Sequence, residues 1–269
     1  MATRWGICSA GKICHDFMVA LKTLPAADHQ AVAVASRDSS RARDFAKRHE
    51  IPKSYGSYEE LANDPNIDIV YVGTINPQHL RVALLMLQAG KNVLCEKPMA
   101  MNLREVQQLI CAARDSNRFL MEGLWTRFFP VSNAIRCLLS QNNLGEVKMV
   151  KAEFGTCMMG TPRVVEKDLG GGVLLDIGCY CLQFVCMVFN GEKPESIHAT
   201  GFLTEKDSRV YVVPHKSGGE WESQGVSTAS SVSTPQLHQQ YRPALRSRGS
   251  AAVSPERTEG IFPATTGRE

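Results

Sequence analysis

Apolar and polar positions follow two different periods along the first 125 residues. Short apolar runs at residues 4–8, 30–35, 67–74, 92–95 and 119–124 have the density expected of strands buried on both faces. Between them, residues 12–24, 39–49, 57–62 and 77–89 and a segment opened by Asn102 space their apolar side chains as a helix with one covered face does. Two helix starts are marked by capping pairs. Ser57 stands three residues before Glu60, and Asn102 three before Glu105. This β-α-β rhythm, with about six strands, predicts an α/β protein whose residues 1–125 form a Rossmann-type, doubly wound parallel sheet.

The pattern changes after Trp125. A helix is predicted around 132–140, a long strand over 146–154, a glycine-rich loop at Gly170, Gly171 and Gly172 leading into a helix, and a strand over 196–203. These elements predict an incomplete α+β domain with a mainly antiparallel sheet over 126–207. From residue 208 the periodicity lapses, and Ser, Gly, Pro, Arg and Thr crowd a segment without Cys or Met. So little apolar side chain cannot offset the entropy of ordering, so residues 208–269 read as a divergent, disordered tail.

Composition narrows the function. A chain of 269 residues has room for two modest cores. Its net charge is only +3 and no basic stripe occurs, which predicts a small-molecule ligand rather than nucleic acid or an acidic membrane surface. The N-terminus enters a strand without the regions of a secretory signal, and the apolar stretch 173–189 is interrupted by Asp176 and Gln183. The expectation is a cytoplasmic protein with no membrane partner. Nine cysteines show no CxxC pair or Cys/His zinc spacing and read as small core residues, not metal ligands.

The first strand-to-helix junction is Gly6-Ile7-Cys8-Ser9-Ala10-Gly11-Lys12-Ile13-Cys14. A dinucleotide fingerprint would place glycine at 9, 11 and 14, and only Gly11 complies. Ser9 and Cys14 are small, so Ser9, Gly11, Lys12 and Ile13 form either a pyrophosphate cradle at a helix N-terminus or an ordinary tight turn. Ser36 and Arg37 end the second strand, with Arg41 one turn on. A hydroxyl and guanidinium groups there suit the 2′-phosphate of NADP(H); two solvated arginines are the alternative. Lys97, in Glu96-Lys97-Pro98, lies at the carboxyl edge of the sheet, either as a solvated edge lysine or over a nicotinamide, stabilising an alkoxide and lowering a neighbour's pKa. Asp176 and Tyr180 are four apart and share a face if helical, as a proton relay with Lys97 or as a cap and a core tyrosine.

These segments, with Arg4-Trp5-Gly6-Ile7, Ile51-Pro52-Lys53-Ser54-Tyr55-Gly56-Ser57-Tyr58-Glu59-Glu60-Leu61, Trp125-Thr126-Arg127-Phe128-Phe129-Pro130 and Leu175-Asp176-Ile177-Gly178-Cys179-Tyr180, resemble the Gfo/Idh/MocA oxidoreductase family from residue 1 to about 207. The resemblance implies that Lys97 sits by the nicotinamide, Tyr180 exchanges the substrate's hydroxyl proton and Asp176 orients the group oxidised. It implies that Thr74, Asn76, Pro77, His79 and Glu96 line the cofactor, and that Trp125 and Phe154 wall a cyclic diol. The implied activity is NADP-dependent oxidation of trans-dihydrodiols of aromatic hydrocarbons or of D-xylose, in a homodimer built by the C-terminal sheet. A half-built sheet exposes apolar surface and an open edge, which predicts loss of the dimer and of turnover with NADP(H) binding kept. A reductase of the same fold acting on another substrate is the third reading.

Overall fold

The alternation of small and branched side chains in the first strands puts neighbours on opposite faces of one sheet. In the computed structural model, which describes residues 1–156, 158, 160–203, 208–215 and 226–230, the order is β1 (Thr3–Cys8), α1 (Lys12–Leu21), β2 (His29–Ala35), α2 (Ser39–His49), β3 (Lys53–Tyr55) and α3 (Tyr58–Asn63). Then come β4 (Ile69–Val72), α4 (His79–Gln88), β5 (Asn92–Glu96), α5 (Leu103–Asp115) and β6 (Leu120–Gly123). All pairings are parallel, in the order β3-β2-β1-β4-β5-β6. The order reverses between β1 and β4, where the crevice of a doubly wound sheet opens at the strands' carboxyl ends.

Helices cover both faces. Ile7, Val34 and Tyr71 pack with Met18 and Phe45 on one side; Val70, Val72, Val93 and Cys95 pack with Leu61, Val82, Met86 and Leu109 on the other. Local sequence sets the helix starts. Asp38 accepts hydrogen bonds from the backbone N–H groups of Ser40 and Arg41, Ser57 and Glu60 form a complete capping box, and Asn102 accepts from the N–H of Glu105. Three expectations shift. Lys53–Tyr55 pairs with β2 although it has no apolar run, α1 ends at Leu21 rather than 24, and residues 67–68 and 73–74 lie outside β4.

The second half runs α6 (Pro130–Ser140), β7 (Lys151–Gly155), α7 (Pro162–Val165), a wide helical turn over Leu174–Gly178, α8 (Cys179–Val188), β8 (Ser196–Leu203), β9 (Ser208–His215) and β10 (Val226–Ser230). Its sheet has the order β7-β10-β9-β8, with β8–β9 and β9–β10 antiparallel and β10–β7 parallel. Residues 146–150, expected in the long strand, are not part of it, because pairing begins where Lys151 meets Val226. The expected disorder from 208 is corrected for two stretches. Val210, Tyr211, Val212 and Val213 form a β-branched and aromatic run whose register partners are in β8, a signal that the composition of the whole tail concealed. Residues 216–225 and 231–269 of that tail lie outside the described residues.

Residues 1–232 form one compact unit that contains both sheets. Within it, Lys167–Val188 is a 22-residue stretch whose most apolar 18-residue window has mean hydropathy 1.7, long and apolar enough by composition to cross a membrane and longer than the run read from sequence. It carries the ion-paired Asp176, described next.

Candidate active site

The loop between β1 and α1 is built for close approach. Ser9 has φ 99°, a left-handed conformation, and its N–H is tied to the carbonyl of Ala35 at the end of β2. Gly11 caps α1 without a side-chain hydrogen bond, and no acidic residue stands in the first turn. The N–H groups that open α1 around Lys12 and Ile13 are thus available to an anion. Cys14, where the fingerprint has its third glycine, is fully buried, with its Sγ 3.7 Å from the carbonyls of Cys8 and Gly73. A Cβ on Gly73 would lie 2.5 Å from that sulfur. The absence of a side chain at Gly73 leaves room for the Cys14 sulfur between α1 and the end of β4. Lys12 points its ammonium to Asp16, 2.6 Å away.

At the tip of β2, Ser36 is buried while Arg37 and Arg41 are exposed. Neither guanidinium makes an ion pair among the described residues. The nearest carboxylate in sequence, Asp38, is spent on capping α2, where the Ser40 hydroxyl and the N–H groups of Ser40 and Arg41 hold its pKa below the ordinary aspartate value.

The loop after β4 separates the expected cofactor residues. Thr74 Oγ1 is buried without a hydrogen-bond partner, an orphan that an incoming group would satisfy. Asn76 and Pro77 face the second half, since a Cβ on Gly170, whose φ is 80°, would meet Pro77 Cδ at 2.7 Å and Asn76 Cβ at 3.2 Å. His79 is corrected. It is fully buried, its Nδ1 2.7 Å from the carbonyl of Pro98 and its Nε2 3.0 Å from that of Thr74, so it staples two loops instead of lining a cofactor surface. Burial pushes its pKa down against the pull of those carbonyls. Glu96 is likewise engaged: Tyr71 donates its hydroxyl to Oε1 at 2.6 Å and the Lys97 N–H reaches Oε2 at 3.3 Å. Burial raises the Glu96 pKa despite these bonds.

Lys97 follows β5, and its peptide bond to Pro98 is cis. Its ammonium crosses to the second half, donating to the carbonyl of Asp176 and lying 3.2 Å from Asp176 Oδ1. It also stands 5.1 Å over the Tyr180 ring. The same Oδ1 accepts from Arg163 Nη1 at 2.8 Å. Burial alone would raise the Asp176 pKa, but Lys97 and Arg163 outweigh it and hold the carboxyl below the ordinary aspartate value. Arg163 gave no signal in sequence beyond the proline that precedes it at the start of α7. Phe154 packs edge-on against Tyr180 with ring centroids 5.7 Å apart, and the side chain of Trp125 lies close enough to Tyr180 to stabilise its charged form.

The structure therefore brings Lys97, Asp176, Tyr180, Trp125 and Phe154 together. One expected effect is reversed. The Tyr180 phenol is pushed above the ordinary tyrosine range, by burial first and then by Cys179, Glu96 and Asp176, with the Trp125 side chain opposing. The ammonium of Lys97 is taken up by Asp176 and does not bring the phenol down.

A doubly wound parallel sheet with an uncapped helix at its switch point is the architecture of a dinucleotide-binding domain. Residues 3–124 match the oxidoreductase family, NAD-binding Rossmann fold, and residues 133–228 match the Gfo/Idh/MocA C-terminal domain, so the likeness passes the residue 207 at which the sequence reading ended it. The chain is 68% identical over 201 residues to trans-1,2-dihydrobenzene-1,2-diol dehydrogenase of Danio rerio, covering 75% of this chain and 60% of that protein. It is 63% identical over 220 residues to the protein of the same name from Xenopus laevis, covering 81% and 67%. The crystal structure of GenD2 from gentamicin A biosynthesis in complex with NAD superimposes with a TM-score of 0.78 at 21% identity, covering 87% of this chain and 67% of that one, which is a likeness of fold. The chain belongs to the Gfo/Idh/MocA oxidoreductase family. It spans about 60% of the length of its Danio rerio relative.

Proposed function

We propose that this chain is an NADP-dependent dehydrogenase that oxidises one hydroxyl of a trans-dihydrodiol of an aromatic hydrocarbon, and of D-xylose. The observation that carries the reading is the convergence of Lys97, Asp176 and Tyr180, from two halves of the chain, beside the loop that follows β4. The names of the two relatives support the diol. The residues present fit the cofactor: Ser9, Gly11, Lys12 and Ile13 would hold the pyrophosphate, Ser36, Arg37 and Arg41 the 2′-phosphate, and the orphaned Thr74 hydroxyl with Asn76 the nicotinamide end. The unpaired arginines and the preoccupied Asp38 support NADP(H) over NAD(H).

When bound, the cofactor supplies the hydride acceptor. Tyr180, once its phenol has given its proton to solvent, takes the proton of the substrate hydroxyl as the carbinol C–H hydrogen leaves with its electron pair; a carbonyl forms, and the proton given to solvent is the one released overall. Lys97 offers positive charge to the oxygen as its O–H bond weakens. Asp176 fixes Lys97 in place. Because the phenol is held above its ordinary range, Tyr180 is an acid near neutral pH, so diol oxidation speeds up as pH rises and carbonyl reduction is favoured at lower pH. Trp125 and Phe154 supply apolar walls for a ring.

A second reading, NADP(H) binding without turnover, is favoured by the openness of those walls: Trp125 is 50% and Phe154 43% exposed, leaving Tyr180 accessible to water. Steady-state NADPH formation with a trans-dihydrodiol and with D-xylose, run beside NADP(H) binding by fluorescence, separates the two. Turnover that falls about 10²-fold in Lys97→Met with cofactor affinity intact supports the dehydrogenase. Binding with no turnover supports the second reading. Arg37→Asp is expected to weaken NADP(H) by about 1.5–3 kcal/mol and leave NAD(H) nearly unchanged; equal losses would remove the NADP assignment.

A further inference from the structure

We propose that Arg163 is a positioning residue that sets the charge of the active-site cluster: by sharing Asp176 Oδ1 with Lys97, it keeps the three side chains one positive charge above neutrality. The inference rests on the dehydrogenase reading above and deepens it. Lys97 and Asp176 alone would be a self-cancelling pair, 3.2 Å apart and both largely shielded from water, with side-chain exposures of 14% and 8%. A cancelled lysine has little to offer an oxygen that gains negative charge as its proton leaves. Arg163 enters from α7, a separate element, and reaches the same oxygen at 2.8 Å. A guanidinium stays charged across the working pH range, so the supplement it provides is permanent.

The other titratable groups make this supplement necessary. Glu96 from β5 and Glu122 from β6 lie on the Rossmann side of Lys97, occupied by the Tyr71 hydroxyl and by the Met99 N–H respectively. Cys179 and Tyr180 face it from α8, and burial pushes the Cys179 thiol up to about 11, so it adds no charge near neutrality. Without Arg163, Lys97 would face Asp176, Glu96 and Glu122 with one positive charge fewer beside it. The net positive field of the cluster at the substrate oxygen would be weaker.

Competitive acetylation of the folded protein with acetic anhydride, with Lys97 labelling read by mass spectrometry at fixed pH, tests this without turnover. Labelling follows the unprotonated fraction of the amine. Arg163→Gln is expected to slow labelling of Lys97 by at least about threefold, since removal of a neighbouring positive charge favours the ammonium. Arg163→Lys should restore most of the rate. In an Asp176→Asn background, where the carboxylate that holds Arg163 beside Lys97 is gone, the effect of Arg163→Gln should shrink. If the Gln variant does not fold, Arg163→Met gives the same readout with an apolar side chain of similar reach. Where turnover is measurable, loss of Arg163 should move the pH profile of oxidation toward higher pH at an unchanged cofactor affinity. Unchanged or faster labelling in both neutral variants overturns the proposal whatever the turnover. A labelling shift in a protein without turnover upholds the charge role and removes the dehydrogenase reading instead.

Discussion

The two sheets of this chain meet their surroundings in opposite ways. The parallel sheet β1–β6 has a covered face on each side, and Ile7, Val34, Val70, Val72 and Val93 are fully buried. In the second half, four of the five β7 residues are exposed, and Phe128, Phe129, Val131, Leu144, Met149, Phe154 and Ile197 all show large fractions of their surface. The first sheet is stabilised by its own helices. The helical segments of the second half, Pro162–Val165 and Leu174–Gly178, carry Arg163 and Asp176, which meet Lys97 of the first half to complete the cluster.

The contrast predicts very different costs for losing a large apolar side chain. Leu61 is fully buried between α3 and the sheet, so Leu61→Ala is expected to destabilise by about 2–5 kcal/mol through lost burial and the cavity left behind. Phe154→Ala removes an exposed ring and one edge-on contact, and should cost no more than about 1 kcal/mol. Urea denaturation of both variants provides the comparison. A Phe154→Ala loss as large as that of Leu61→Ala would show that the second sheet has a core of its own.

Acid should distinguish the halves as well. Asp64 is held at about 2 against an ordinary 3.8; burial opposes this, but Asn66, Lys53 and Tyr55 all hydrogen-bond the carboxylate. The depressed pKa contributes about 2 kcal/mol that is fully present above pH ~4 and is lost as pH falls through about 2. In Asp64→Asn this acid-dependent increment should vanish, leaving a flatter stability curve between pH 5 and 2. An unchanged acid limb would assign the acid sensitivity of the chain elsewhere, with Asp176, also depressed, as the next residue to test.

The same contrast governs what could be read from sequence. In the first half the apolar period, the Ser57–Glu60 and Asn102–Glu105 caps and the strand edges agree with one another, and the parallel sheet follows from them. The short Lys53–Tyr55 strand escaped because its position comes from β2 beside it, not from its own residues. In the second half β9 was hidden by the composition around it. Lys97, Asp176 and Tyr180 were legible as residue types in family order, but their partners were not. Arg163 and the shared Oδ1 depend on the path of α7, and the fit of Cys14 against Gly73 depends on α1 packing against the end of β4. The burial that raises the Tyr180 pKa is likewise a property of the packed site.

The smallest expected effect lies in the first half, at a residue held in a left-handed backbone conformation. Ser9 carries a side chain at φ 99°, where such residues cost on the order of 1–3 kcal/mol. Glycine adopts that conformation freely but loses more entropy on folding, a penalty of roughly 0.5–1 kcal/mol that offsets part of the relief. Ser9→Gly is therefore expected to stabilise the protein by about 0.5–1 kcal/mol, read as a higher urea midpoint with an unchanged slope. Removing the Ser9 hydroxymethyl group also opens the approach to the first N–H groups of α1, so NADP(H) should bind at least as tightly. If Ser9→Gly instead weakens both stability and cofactor binding, the Ser9 hydroxyl contributes contacts that a glycine loop lacks, and the strained serine is what holds this loop in shape.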